Sequence, residues 1–249
     1  MAAVNVERIY RYAREDKVEE LKAEILEDGV LKEEIKCHTG TRGDPLLARL
    51  LKDACSHNAT SVVKFLASTV DKHMLNHLGY YSFTLSTGVL IEHYGCALHE
   101  AVDRHSVKCL QYLLDAGADT NVTDHRGKTP LHFASERGHI DCMRHLLDSK
   151  ANPNQPDERG KTPLQYASEL GHIDCMRHLL DSKANPNQPD KDKRTPLHYG
   201  TIENNTDCVL HLLQAGANPD QGDKLSQKLG SMVQLQQQKC PYQVTPYIA

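Results

Sequence analysis

The chain has 249 residues, with 29 basic and 33 acidic side chains and a net charge of −4, a near-balance that leaves no electrostatic footprint for nucleic acid or an anionic membrane. No apolar run approaches membrane-spanning length. Residues 1–17 scatter Glu7, Arg8, Arg11, Arg14, Glu15 and Asp16 through a stretch without the apolar core of a signal peptide, so the expected compartment is the cytosol or the nucleus.

Residues 5–28 place Ile9, Ala13, Leu21, Ile25 and Leu26 in a strongly charged background. This predicts a divergent terminal repeat with a polar outer face, as a stack of repeats needs at its end. Residues 29–44 read as a charged connector. Residues 44–68 predict the next unit, with Leu51 and Ala54 on a first helix, Asn58 at a turn, and Val62, Val63 and Leu66 on a second helix. Its opening, Asp44-Pro45-Leu46-Leu47, is shifted relative to the later units, which predicts a longer or irregular first helix. An insertion over residues 69–95 then carries Tyr80, Tyr81, Phe83, Val89, Leu90, Ile91 and Tyr94. Insertions in repeat arrays map to loops, often on the binding face; a local aromatic patch over neighbouring helices is the alternative reading.

From residue 96 the chain repeats itself with a period of 33. The stretch Arg126 to Asp157 returns at Arg159 to Asp190 with three differences: His132 becomes Gln165, Phe133 becomes Tyr166, and Arg137 becomes Leu170. Units at 96–121, 129–154, 162–187 and 195–220 share this register, and residues 224–239 predict a half-repeat cap before a tail at 240–249. The whole of residues 1–239 is read as one domain. Within a unit, Thr129 can cap a helix that has Pro130 at its first position, and Gly138 ends it. Ile140, Cys142, Met143, Leu146 and Leu147 give a second helix its apolar face. The loop Asn152-Pro153-Asn154-Gln155-Pro156-Asp157 is too rich in proline and asparagine to continue a helix.

The Thr-Pro-Leu-His box, the Gly-His turn, the Leu-Leu pair and the Ala-Asn or Gly-Ala-Asp ending resemble the ankyrin repeat, completely from about Glu92 to Asp220. The resemblance implies an all-α ankyrin-repeat solenoid of helix-turn-helix units joined by hairpin-like loops. It also implies that the box and turn histidines, His99, His132, His198, His139 and His172, bind backbone groups between repeats, so that Gln165 is a tolerated substitute.

Two columns imitate chemistry. Cys109, Cys142, Cys175 and Cys208 stand 33 apart, but equivalent positions on packed helices are about 8–10 Å apart, beyond the roughly 7 Å between Cα atoms that a disulfide tolerates. They are expected to be small core residues. His145, His178 and His211, with Tyr112 one unit earlier, form a row whose nitrogens are poorly placed to converge on one ion. No Gly-rich phosphate loop, CxxC, HExxH or GxSxG motif occurs. No enzymatic activity, metal or cofactor is expected. Lys150 and Lys183 fill a helix-ending position where Gly117 and Gly216 stand in other units, and are expected at positive φ.

By resemblance, the protein is an adaptor or scaffold that binds a partner protein segment on the concave surface of loop tips and first helices, as a monomer. Carried over position by position, that surface comprises His125, Arg126, Lys128, Glu158, Arg159, Lys161, Lys191, Asp192, Lys193 and Arg194 at the tips. The first helices add Glu136, Arg137, Glu169, Leu170 and Glu203, and the insertion adds Tyr80, Tyr81 and Phe83. Leu170 is expected to be exposed. An alternative is the substrate-recognition subunit of a ubiquitin ligase, although the tail, with Leu225, Leu229, Leu235, Cys240 and Pro241, shows no convincing adaptor-binding box. Asn121, Asn154 and Asn187 hold the loop position that is hydroxylated in some ankyrin repeats.

Overall fold

The computed structural model describes residues 6–27, 30–31, 46–70, 75–76, 79–84 and 90–221. Most of the 29–44 connector, the 224–239 half-repeat and the 240–249 tail lie outside them. The chain divides into two compact units, Met1–His125 and Arg126–Ala249.

The first unit opens with α1 (Val6–Arg14) and α2 (Val18–Ile25), which bury Ile9, Ala13, Leu21 and Ile25 completely. A two-residue antiparallel pair follows, β1 (Leu26–Glu27) with β2 (Val30–Leu31). The next repeat is α3 (Leu46–Ser56) and α4 (Thr60–Thr69). At 11 residues, α3 is longer than the first helices that follow, as its shifted opening predicts. Asp16, in the turn between α1 and α2, reaches forward to accept the Val62 amide at 2.9 Å, pinning the first repeat to the second.

The insertion contains a regular hairpin, with β3 (Gly79–Thr84) antiparallel to β4 (Leu90–Gly95) and Phe83 opposite Ile91. The β-branched and aromatic content of these strands favours extended backbone. Ahead of the hairpin, Leu75 is buried and Asn76 Oδ1 accepts the Asp119 amide at 2.8 Å. The first unit ends with α5 (Ala97–Asp103) and α6 (Val107–Asp115).

The second unit contains three helix pairs: α7 (Pro130–Arg137) and α8 (Ile140–Asp148), α9 (Pro163–Leu170) and α10 (Ile173–Asp181), α11 (Pro196–Ile202) and α12 (Thr206–Gln214). First helices pack on first helices and second on second. Leu131, Leu164 and Leu197 are fully buried on the first, and Cys142, Met143 and Leu146 and their counterparts are buried on the second. The repeats are therefore all-α as predicted, and among the described residues extended strands occur only in the two hairpins.

The box residues begin the first helix of each repeat from residue 96 onward through a reciprocal arrangement. The Thr129 amide donates to His132 Nδ1 at 3.0 Å, while His132 Nε2 bonds the Lys161 carbonyl of the next repeat at 3.1 Å. Gln165 reproduces both ends: its Oε1 accepts the Thr162 amide at 2.6 Å, and its Nε2 donates to the Arg194 and Gln188 carbonyls at 2.7 and 3.2 Å. A side chain with an acceptor near its root and a donor at its tip is what the position requires, and glutamine supplies both.

The turn column follows the same logic. His172 Nε2 bonds the Glu136 carbonyl at 3.2 Å. In the next repeat Asn205 replaces the histidine and donates to the Ser168 and Glu169 carbonyls at 3.1 and 2.9 Å. These side chains satisfy carbonyls at the C-terminus of the preceding repeat's first helix.

Candidate partner-binding face

Loop tips and first-helix ends form one face of the second unit, and Asp157 and Asp190 build its tips. Asp157 Oδ1 accepts the Arg159 and Lys161 amides, each at 2.8 Å, and its Oδ2 accepts the Tyr166 hydroxyl at 2.8 Å. Asp190 repeats the pattern with the Arg194 amide at 2.8 Å and the Tyr199 hydroxyl at 2.6 Å. Adjacent tips join edge to edge: Glu158 N–H donates to Arg126 O at 2.9 Å and Lys191 N–H to Arg159 O at 3.0 Å. This close approach explains Gly127 and Gly160, since a Cβ at either would stand 2.8–2.9 Å from the neighbouring tip's backbone nitrogen.

Lys161 departs from the surface expectation. It is buried, ion-paired with Glu169, and its ammonium lies 4.3 Å from the Tyr166 ring centre and 4.2 Å from that of Tyr199. Lys128 is largely covered too, 2.8 Å from Glu136 and 4.4 Å from the Tyr166 ring centre. Tyr166 thus contacts two ammonium groups while its hydroxyl is held by Asp157. The aromatic row attracts the lysine stems and cations, so the inner part of the tips is internal structure. Burial, then the bond to Asp157, holds the Tyr166 phenol above its ordinary pKa; the same causes act at Tyr199 through Asp190. Asp157, Asp190, Tyr166 and Tyr199 as a set escaped sequence reasoning. The available signal was an aspartate recurring nine residues before a tyrosine in both of the last two repeats.

The outer part of the face is open. Arg126, Glu158, Arg159, Lys191, Asp192 and Lys193 are exposed at the tips, Arg194 is half-buried, and Arg137, Leu170 and Glu203 are exposed at the helix ends. Leu170 is 48% exposed and Ile202 43%, the large apolar side chains exposed among the described residues. They stand at the ends of α9 and α11, which the Asn205 bonds to α9 hold together. Ile202 was absent from the sequence-based set, because one apolar residue beside Glu203 carries no periodic signal. In the first unit, His125 is exposed, and Tyr80, Tyr81 and Phe83 lie on β3.

The columns that imitate chemistry are scaffold. Cys55, Cys96, Cys109, Cys142, Cys175 and Cys208 are buried and free. Burial, with Asp141 or Asp174 nearby, pushes the Cys142 and Cys175 thiols up to about 12 and about 11, so neither is a nucleophile near neutrality. In the histidine row, Arg144 Nε donates to His178 Nε2 at 3.2 Å and Arg177 Nε to His211 Nε2 at 3.0 Å. No group of three or more potential ligands capable of holding a metal occurs among the described residues. No described helix is long and apolar enough to cross a membrane.

Asn154 clamps consecutive loops. Its Oδ1 accepts the Asn185 amide at 2.7 Å and its Nδ2 donates to the Lys183 carbonyl at 3.1 Å. Asn187 does the same with Asn218 and Gly216. In the first unit, the Asn121 amide donates to Asp119 Oδ1 at 2.9 Å. Modification of Asn154 or Asn187 requires an enzyme to release both clamps.

Helix pairs whose first helix opens on a Thr-Pro-Leu-His or Thr-Pro-Leu-Gln box, joined through Asp-anchored hairpin tips, define a tandem helix-turn-helix repeat protein. The family model described as ankyrin repeats (three copies) matches residues 51–157, 98–190 and 149–223, and the chain belongs to the ankyrin-repeat family. Ankyrin repeats are generally protein–protein interaction modules. No curated protein matches the chain at a significant level.

Proposed function

We propose that the protein is a non-enzymatic adaptor or scaffold that binds a segment of a partner protein on the loop-tip and first-helix face of residues 126–203. The observation that carries this reading is the exposure of Leu170 and Ile202 on adjacent first-helix ends. An exposed leucine at a position where the otherwise near-identical repeat has arginine gains nothing for folding, whereas burial against a partner removes its apolar surface from water. Around it, Arg126, Glu158, Arg159, Lys191, Asp192, Lys193 and Arg194 form a polar rim, joined by Arg137 and Glu203. Glu136, Glu169, Lys128 and Lys161 hold that rim in place from beneath. In the first unit, taken by itself, His125 and the hairpin residues Tyr80, Tyr81 and Phe83 are proposed as further partner contacts.

Crosslinking mass spectrometry of the full chain with its bound partner tests this. Crosslinks should concentrate on Arg159 to Glu203 and disappear in Leu170→Glu, while deletion of residues 80–90 reports whether the hairpin contributes. A partner crosslinked only to the second-helix side, near Arg144 and Arg177, and retained by Leu170→Glu, would overturn the reading.

A further inference from the structure

The charge distribution around Leu170 and Ile202 specifies what kind of segment fits there. The chain as a whole is acidic, at −4, yet the exposed tips carry Arg126, Arg159, Lys191 and Lys193 against only Glu158 and Asp192. Of the other carboxylates of this face, Glu136 and Glu169 are paired with Lys128 and Lys161, and the exposed Glu203 at the end of α11 is offset by the exposed Arg137, so the outer cations remain in excess. The second-helix side of the same unit alternates Asp141, Asp174 and Asp207 with Arg144 and Arg177, so its charges compensate. An excess of one sign beside an apolar spot selects partners of the opposite sign and speeds their encounter.

We propose that this face takes an extended acidic segment that presents one leucine-sized apolar side chain. The apolar side chain covers Leu170 and Ile202, and flanking Asp or Glu carboxylates pair with Arg159, Lys191 and Lys193. Arginine at the tip favours carboxylates through its paired donors. This rests on the functional reading above and adds the chemistry of the partner. The small anchor and the exposed charges predict a salt-sensitive interaction, because pairs at the surface are screened within a Debye length of about 8 Å at physiological ionic strength.

The test is selection of a phage-displayed library of random linear peptides on the full chain. It is followed by fluorescence anisotropy of the enriched peptides against wild type, Leu170→Glu, and the double variant Lys191→Glu with Lys193→Glu. Thermal melting verifies that the variants fold. The expected result is enrichment of sequences with an apolar residue flanked by Asp and Glu. Binding should weaken about tenfold or more in each variant, as loss of a central anchor produces, and should fall with added salt. Enrichment of basic or uncharged peptides that still depend on Leu170 would overturn the acidic assignment while leaving the functional reading standing. Peptides indifferent to Leu170→Glu and to the charge reversals would overturn both. Failure to enrich any peptide would overturn the linear-segment proposal, and crosslinking of a folded partner to the same face would show that the functional reading survives it.

Discussion

The repeats at 129–154 and 162–187 share almost every residue, and their three differences have three structural fates. His132 and Gln165 make the same pair of connections, to the helix start and to the following repeat. Phe133 and Tyr166 differ by a hydroxyl that finds Asp157. Arg137 and Leu170 are both exposed, and only the leucine puts apolar surface into water without an evident return. The scaffold absorbs the first difference, uses the second, and is indifferent to the third. Identity between copies therefore marks packing, and the difference the packing leaves unused points outward.

The sharpest break in that comparison is at Gln165. Gln165→His should change stability by less than about 1 kcal/mol, because the connections are remade. Gln165→Ala should cost about 3 kcal/mol, since the buried Thr162 amide and the Arg194 carbonyl both lose a partner. Urea denaturation followed by circular dichroism measures both; equal losses would show that the bridge is immaterial.

Tyr166→Phe removes the one hydroxyl that separates the copies there and should cost about 1.5–3 kcal/mol, the usual worth of a bond to a charged acceptor. It should also change the alkaline limb. The folded pKa of Tyr166 is raised, so above pH ~10 the unfolded chain releases a proton that the folded chain keeps. The stability this provides is complete below that pH and declines as pH rises through the interval between the two values. Melting temperatures at pH 9 and pH 11 should differ less in Tyr166→Phe than in wild type, and less again when Tyr199→Phe is added. An unchanged difference would contradict the assignment.

The loops supply a smaller contrast. Lys150 and Lys183 both sit at φ 66°, where Gly117 and Gly216 have φ 85° and 83°. A side chain in the left-handed region costs on the order of 1 kcal/mol relative to glycine. Lys150→Gly and Lys183→Gly should each raise the melting temperature by about 2 °C, read by differential scanning calorimetry. A fall would mean that the lysine stems contribute packing that outweighs the strain.

The helix pairs were legible because their cause is local and recurs in one register: a capping threonine and a proline at the first position in three units, with small and apolar residues at helical spacing in four. The positive φ of Lys150 and Lys183 was legible for the same reason, from the glycines in their column. Lys161 was misread because its burial depends on Tyr166 and on Tyr199, 38 positions further along, and a charged residue in a loop gives no sign of such neighbours. The hairpin at 79–95 was hidden by the absence of a second copy. Strand pairing there depends on cross-strand register, which a repeat alignment cannot supply. Ile202 was missed because exposure of a single residue is set by its neighbours in space.

The smallest expected effect on folding is the most informative about use. Leu170→Arg installs the residue of the preceding copy at a position that is open to solvent in both. Surface exchanges of this kind usually lie within about 0.5 kcal/mol of neutral, and the α9 C-terminus still ends on Gly171 at φ 73°, so chemical denaturation should not separate the variant from wild type. If the leucine is an anchor, the same substitution should weaken partner binding, because it removes the apolar surface that the partner covers. Loss of stability with unchanged binding would return Leu170 to the scaffold and leave the three differences between the copies without an outward-facing member.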